Sequence, residues 1–242
     1  MIRIEQELEY ARIALTNGLN HAELQDILSH YGYPPERMQQ GMALYQEALA
    51  LLRQMIEARK AKVSATLAFY KAWRTARLLY GRDLATMRLL LRNDATLHYY
   101  LQLPGKRNAS YAGWHAQACS LYEGIQKQPE LQALLGPVGI TLERVGLGLQ
   151  ALEAVQQARV VQIEQKGVAQ MAIQRYADVR KRLNDWVDLF GISARKALAT
   201  TPGHLTQLGL DVTLEQERRR KLALRKKQAE TDQQTPASTA LV

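Results

Sequence analysis

An internal repeat is the feature of this sequence that most restricts its fold. Residues 22–28, AELQDIL, match residues 129–135, PELQALL, at an offset of 107. The same offset aligns Gly32 with Gly139, Gly41 with Gly148, and Glu36-Arg37 with Glu143-Arg144. Chance similarity between helical segments would align alanines and leucines, but not glycines and a charged pair in register. The sequence therefore predicts two tandem copies of one unit of about a hundred residues.

Other offsets give matches elsewhere in the two copies. An offset of 106 pairs Leu15 with Leu121, Gly18 with Gly124, Tyr70 with Tyr176, and Arg74 with Arg180; a larger one pairs Tyr80 with Phe190. These shifts predict a one-residue deletion near Gly167 in the second copy, followed by an insertion of about one turn.

The composition of both copies is typical of helices. Residues 38–81 and 149–190 contain few glycines and are rich in Ala, Leu, Gln, Glu, Lys and Arg, which are strong helix formers. No segment alternates apolar and polar residues in the manner of a strand. We therefore predict an all-α fold.

Each copy contains the signals of one long helix. Pro35 and the predicted cap Thr141 mark the two starts. Gly32 and Gly139 are predicted to end the preceding short helices, where a left-handed conformation is favoured. Apolar residues then step by three and four: Met38, Met42, Tyr45, Leu49, Leu52, Ile56, Val63, Tyr70, Trp73 and Tyr80. This spacing predicts coiled-coil-like packing, with a phase slip near Gly167 in the second copy. A hairpin near residues 60 and 167 is the alternative to a continuous helix, and the unbroken pattern favours continuity.

The predicted architecture is an elongated helical bundle. Two long antiparallel helices are related by a pseudo-twofold axis, and short helices cap their ends. Asp83 and Ser193 are predicted to cap shorter helices at 83–92 and 193–200, and Ser110 caps the first helix of the second copy. The predicted organisation is repeat 1 at 1–103, a linker at 104–109, repeat 2 at 110–210 packed with repeat 1 as one domain, a basic helical extension at 211–230, and a disordered tail at 231–242.

Four segments carry a resemblance to a known group of proteins: residues 107–122, 139–144, 185–190 and 205–210. Together they resemble a family of bacterial hypothetical proteins, over about residues 10–210. The resemblance implies an internally duplicated all-helical fold and no particular activity.

Few residues suggest chemistry. No histidine lies one turn from another, so we expect no metal site. No glycine-rich phosphate loop and no nucleophile elbow is recognisable, so we expect no cofactor and no catalytic residues. The single cysteine, Cys119, excludes an intramolecular disulfide and is expected to be buried. Asp94 and His98 suggest a surface pair. Six aromatic residues in matched halves of the long helices indicate core packing, or alternatively a pocket for an apolar ligand: Tyr70, Trp73, Tyr80, Tyr176, Trp186 and Phe190.

The strongest local charge lies near the end of the sequence. The formal net charge is +9, and seven positive charges fall within ten residues: Arg218, Arg219, Arg220, Lys221, Arg225, Lys226 and Lys227. They are candidate contacts for an anion or a nucleic acid. We predict a cytoplasmic, non-enzymatic scaffold that binds a protein partner or itself, and alternatively a nucleic-acid-associated protein. No stretch approaches the roughly 20 apolar residues that a transmembrane helix needs.

Overall fold

A computed structural model describes the backbone of residues 2–210 and the side chains of residues 4–210. Every regular element in this part of the chain is helical, which confirms the all-α prediction. The helices are α1 (Ile2–Asn20), α2 (Ala22–His30), α3 (Pro35–Leu90), α4 (Ala95–Tyr100), α5 (Tyr111–Gln126), α6 (Pro129–Leu135), a single 3-10 turn (Gly136–Val138), α7 (Leu142–Ala197) and α8 (Pro202–Gln207).

The two long helices are continuous. Both α3 and α7 contain 56 residues, so the hairpin alternative near residues 60 and 167 is excluded. Asp83 and Ser193 lie inside these helices, and the prediction that they cap separate short helices was wrong. The reason is local, because Gly81 and Gly191 precede them without a proline, and a lone glycine weakens a helix without ending it.

The predicted helix ends are confirmed where glycines and hydroxyl caps specify them. The hydroxyls of Ser110 and Thr141 accept hydrogen bonds from first-turn amides of α5 and α7 at 3.2 and 3.3 Å. Gly32 and Gly139 have φ angles of +84° and +83°, a region in which residues with a side chain are strained. These residues therefore fix where α3 and α7 begin.

The helices form two compact units, which do not follow the limits of the predicted repeats. Among the described residues, the end-segment unit contains residues 2–54 and 173–210, and the middle-segment unit contains residues 55–172. Each unit thus takes part of α3 and part of α7.

In the middle-segment unit, α5 and α6 pack on residues of the two long helices. Trp114, Tyr122 and Tyr80 are fully buried in its core. Gly148 is required by this packing, since a Cβ there would lie 2.4 Å from the ring of Tyr122. Arg159 of α7 lies over the ring of Phe69 of α3, at 5.2 Å from its centroid.

In the end-segment unit, α1, α2 and α8 surround another apolar core. Leu15 and Phe190 are fully buried there, and the Tyr33 ring lies edge-on to Phe190 at 5.1 Å. Gly41 has the same role as the glycine of the other unit. A Cβ on it would approach Leu15 at 2.6 Å and Trp186 at 2.7 Å.

The buried positions of one unit recur in the other at a single offset of 107. In the end-segment unit they include Ala14, Leu15, Leu24, Leu28, Tyr33, Met38, Phe190, Ala194, Leu198, Leu208 and Leu210. Their counterparts are Leu121, Tyr122, Leu131, Leu135, Ile140, Val145, Asp83, Met87, Leu91, Leu101 and Leu103, which are all buried. The offset of 106 does not hold at Tyr176, because this buried residue corresponds to buried Phe69 and not to exposed Tyr70.

The buried stripe of α3 also differs from the predicted one. Val63 and Tyr70, two predicted core positions, are 57% and 55% exposed. Met38 and Tyr80 are buried as predicted. Between residues 55 and 76, however, the buried positions are Met55, Ala65, Phe69 and Ala76. In α7 the buried positions keep one register past Gly167, so the predicted phase slip does not occur. They are Val155, Gln162, Ala169 and Tyr176. Small residues line these contacts, and a search for large apolar side chains overlooks them.

Candidate interaction surface on helix α3

The second half of α3 is strongly basic. Between Arg59 and Arg92, Asp83 is the only acidic residue. The basic residues of this stretch are Arg59, Lys60, Lys62, Lys71, Arg74, Arg77, Arg82, Arg88 and Arg92. Since all of them belong to the middle-segment unit, this charge is concentrated on one of the two units.

From Leu67 to Leu89, the large side chains on one side of the helix form what we call the α3 face: Leu67, Lys71, Arg74, Leu78, Arg82 and Leu89. At roughly 100° per residue they fall within an arc of about 80°. All six are exposed. Three cations and three leucines therefore lie together along one outward stripe.

The cations of the α3 face have no acidic neighbour. Among the described residues, no carboxylate forms an ion pair with Lys71, Arg74 or Arg82. Arg77, beside the face, lies over the Trp73 ring at 5.4 Å, and Arg88 donates a hydrogen bond to the carbonyl of Leu103 at 2.7 Å. The three cations of the face are thus available to an external anion.

The one acidic residue of the stretch points into the core. Asp83 is 1% exposed and accepts hydrogen bonds from the Tyr122 hydroxyl at 2.8 Å and from Arg144 Nε at 2.6 Å. Burial, followed by the hydrogen bond to Asp83, raises the pKa of Tyr122. Because the charge of Asp83 is balanced by Arg144, it does not offset the positive charge of the α3 face.

The equivalent positions of α7 are also exposed but have a different chemistry. They are Gln174, Asp178, Lys181, Asp185, Leu189 and Lys196, the counterpart face of α7. Two acids balance two lysines there, and Asp178 accepts a hydrogen bond from Gln174 at 3.0 Å. Since both sets of positions are exposed, folding does not require the α3 face to be basic.

A cysteine and a histidine lie together on α5. The Cys119 sulfur is 3.6 Å from His115 Nδ1, and His115 Nε2 lies 3.4 Å from the carbonyl of Leu152. Burial raises the pKa of Cys119, and the negative charge of Glu123 adds to the shift. A catalytic cysteine requires a lowered pKa, so this pair favours a neutral thiol and not a nucleophile.

The six matched aromatic residues divide equally between the two units. Tyr80, Tyr176 and Phe190 are buried and Tyr70 is exposed. Trp73 packs against Tyr70 and Phe69 in one unit, and Trp186 stacks on Phe190 at 5.4 Å in the other. These contacts agree with the core-packing interpretation.

The site residues predicted from the sequence lie outside the described residues: Arg218, Arg219, Arg220, Lys221, Arg225, Lys226 and Lys227. Asp94 caps α4 by accepting from the Leu97 amide at 2.9 Å, so the suggested pair with His98 is not its main contact. Over the described part of the chain, no group of metal-binding side chains occurs, and no helix is long and apolar enough to cross a membrane.

Sequence reasoning missed the α3 face. Its signal was present, because Leu67, Leu78 and Leu89 recur every eleven residues within an almost acid-free stretch.

Comparison with protein-family models, curated proteins and solved structures gave no significant match.

Proposed function

We propose that this chain is a non-enzymatic helical interaction protein that binds an anionic partner through the α3 face. One observation carries the proposal: three cations without carboxylate partners lie among three exposed leucines on one side of a continuous helix. A cluster of this kind attracts anions, and the exposed leucines add apolar contact. If the partner is a protein or a second copy of this chain, we propose that it also binds to the α3 face.

We also propose that the fold arose by duplication, with α3 and α7 antiparallel and related by a pseudo-twofold axis. The equal helix lengths and the common offset of buried positions support this. So do the contacts of Asp83 with Arg144 and of Phe69 with Arg159, which join later residues of α3 to earlier residues of α7. Membership of the bacterial helical family and a cytoplasmic location remain proposals from the sequence.

Charge reversal on matched faces tests the proposed function. K71E/R74E/R82E reverses three cations of the α3 face, and R175E/K181E/K196E reverses three exposed cations of α7 while giving the same net charge. On immobilised heparin, we expect the first variant to elute at clearly lower salt than the second. Equal elution of the two variants would mean that only net charge matters, and the proposal would fail.

The second candidate is a nucleic-acid-associated protein that binds through residues 218–227. Seven cations in ten residues favour it. Changing these seven residues to glutamine in the full chain separates the two candidates. If this variant alone loses a steeply salt-dependent affinity for duplex DNA, the nucleic-acid candidate replaces the α3 face.

A further inference from the structure

The leucines of the α3 face form a straight apolar line. Leu67, Leu78 and Leu89 are 66%, 57% and 70% exposed. Eleven residues are close to three helical turns, so the three side chains point in nearly the same direction over about 33 Å. Exposed leucines in an ordered line indicate a surface that a partner covers.

We infer that the occupant of the α3 face is an anionic lipid surface, an inference that rests on the proposed function. Leucines can enter the boundary between lipid headgroups and acyl chains. Lys71, Arg74 and Arg82 lie between them and have long side chains that can extend to lipid phosphates. The absence of acidic residues from the face complements the negative charge of such a surface.

Nucleic acid fits the α3 face less well. A phosphate backbone would engage the cations but would leave three leucines without apolar contacts. Stacking on single-stranded bases requires exposed aromatic rings, and the α3 face contains none. Tyr70, at its edge, already stacks with Trp73 at a centroid distance of 6.3 Å.

An acidic peptide is also a poorer fit. Peptide helices are usually held in apolar grooves, whereas these leucines stand on the outer side of one helix. Three full turns of helix separate successive leucines, so they do not cluster into the buried centre that strong protein interfaces share. A bilayer interface does not require the leucines to cluster, since it is broad and continuous.

Vesicle co-sedimentation of the full chain tests the inference. The probes are vesicles of pure phosphatidylcholine and vesicles in which about a quarter of the lipid is phosphatidylserine. L67Q/L78Q/L89Q removes the apolar line, and L142Q/L147Q/L189Q removes three comparably exposed leucines of α7 as a control. Circular dichroism establishes that both variants remain folded.

We expect binding to the anionic vesicles only. The α3 leucine variant should bind about tenfold more weakly or worse, because its apolar contacts are lost, and the α7 control should bind like the wild type. K71E/R74E/R82E should lose binding on the order of a hundredfold.

Two results would overturn the inference. Unchanged vesicle binding by L67Q/L78Q/L89Q would show that the leucines do not enter the lipid. Heparin or duplex DNA binding through the α3 cations, without vesicle binding, would remove the lipid and leave the proposed function intact. If K71E/R74E/R82E leaves binding to every anionic probe unchanged, the proposed function itself fails.

Discussion

The two units differ in the chemistry of one equivalent buried position. In the middle-segment unit it holds Asp83, which accepts hydrogen bonds from Tyr122 and Arg144. In the end-segment unit the equivalent position holds Phe190, and Leu15 replaces the tyrosine. Both versions are fully buried, so the same helical packing accommodates a charged cluster or an apolar one.

The arginine near this position also makes different contacts in the two units. Arg144 donates a hydrogen bond to buried Asp83, whereas its counterpart Arg37 donates to the carbonyl of Gly32 at 2.8 Å and lies over the Tyr33 ring at 4.3 Å. A buried ion pair contributes little net stability, but removing one partner from it is costly. The two units should therefore tolerate the same substitutions very differently.

The largest effect is expected when a charge enters the apolar unit. F190D should lower the free energy of unfolding by roughly 5 kcal/mol, since truncating a buried phenylalanine costs about 3–5 kcal/mol and the carboxylate lacks a donor. Adding L15Y supplies the hydroxyl found in the other unit. Urea unfolding should show the double variant to be more stable than F190D alone. No recovery would mean that the two positions are not equivalent.

The converse change should cost less. D83A leaves the buried Tyr122 hydroxyl without its acceptor, whereas half-buried Arg144 regains water, so the expected cost is about 2–3 kcal/mol. D83F/Y122L introduces the residues of the apolar unit and should be clearly more stable than D83A, again by urea unfolding. If the two variants are equally unstable, the charged cluster is specifically required in the middle-segment unit.

The helix glycines test the similarity between the units. G148A and G41A should each cost about 1–3 kcal/mol, because a methyl group would overlap a buried side chain. A methyl group added at Gly146, two residues away, would meet no atom within 4 Å, so G146A should stabilise by about 0.5–1 kcal/mol. Thermal unfolding measures all three. A neutral G148A would show that the Tyr122 ring can move, despite its hydrogen bond.

The helices were largely predictable from the sequence, but the faces that they bury were not. Caps such as Ser110 and Thr141 act locally, and local signals can be read from neighbouring residues. The buried stripe of α3 depends on Ala65 and Ala76, whose small size matters only beside a particular partner helix. Large exposed residues such as Tyr70 were therefore assigned to the core wrongly.

The α3 face was missed for a different reason. The basic segment at 218–227 accounts for most of the net charge of +9, so the rest of the chain has a small average charge. That average conceals a basic α3 and acidic residues elsewhere, including Asp178 and Asp185 on the counterpart face. Only the burial pattern identifies which of these charges share an exposed surface.

The smallest effects should occur at high pH and concern two buried tyrosines. Burial raises the pKa of both Tyr122 and Tyr176. Above their ordinary pKa of about 10, the unfolded chain loses these protons while the folded protein retains them, so stability should fall as the pH rises further. Y122F and Y176F should each reduce this alkaline loss in urea titrations.

At neutral pH the two substitutions should diverge. Tyr122 donates to Asp83, so Y122F should cost about 1–3 kcal/mol by leaving the carboxylate short of a donor. The Tyr176 hydroxyl is buried without a hydrogen-bond partner in the described part of the chain, so Y176F should be neutral or slightly stabilising. Equal costs for both would contradict the contrast between a charged and an apolar unit, because the hydroxyl of Tyr122 would then contribute no more than an unpaired one.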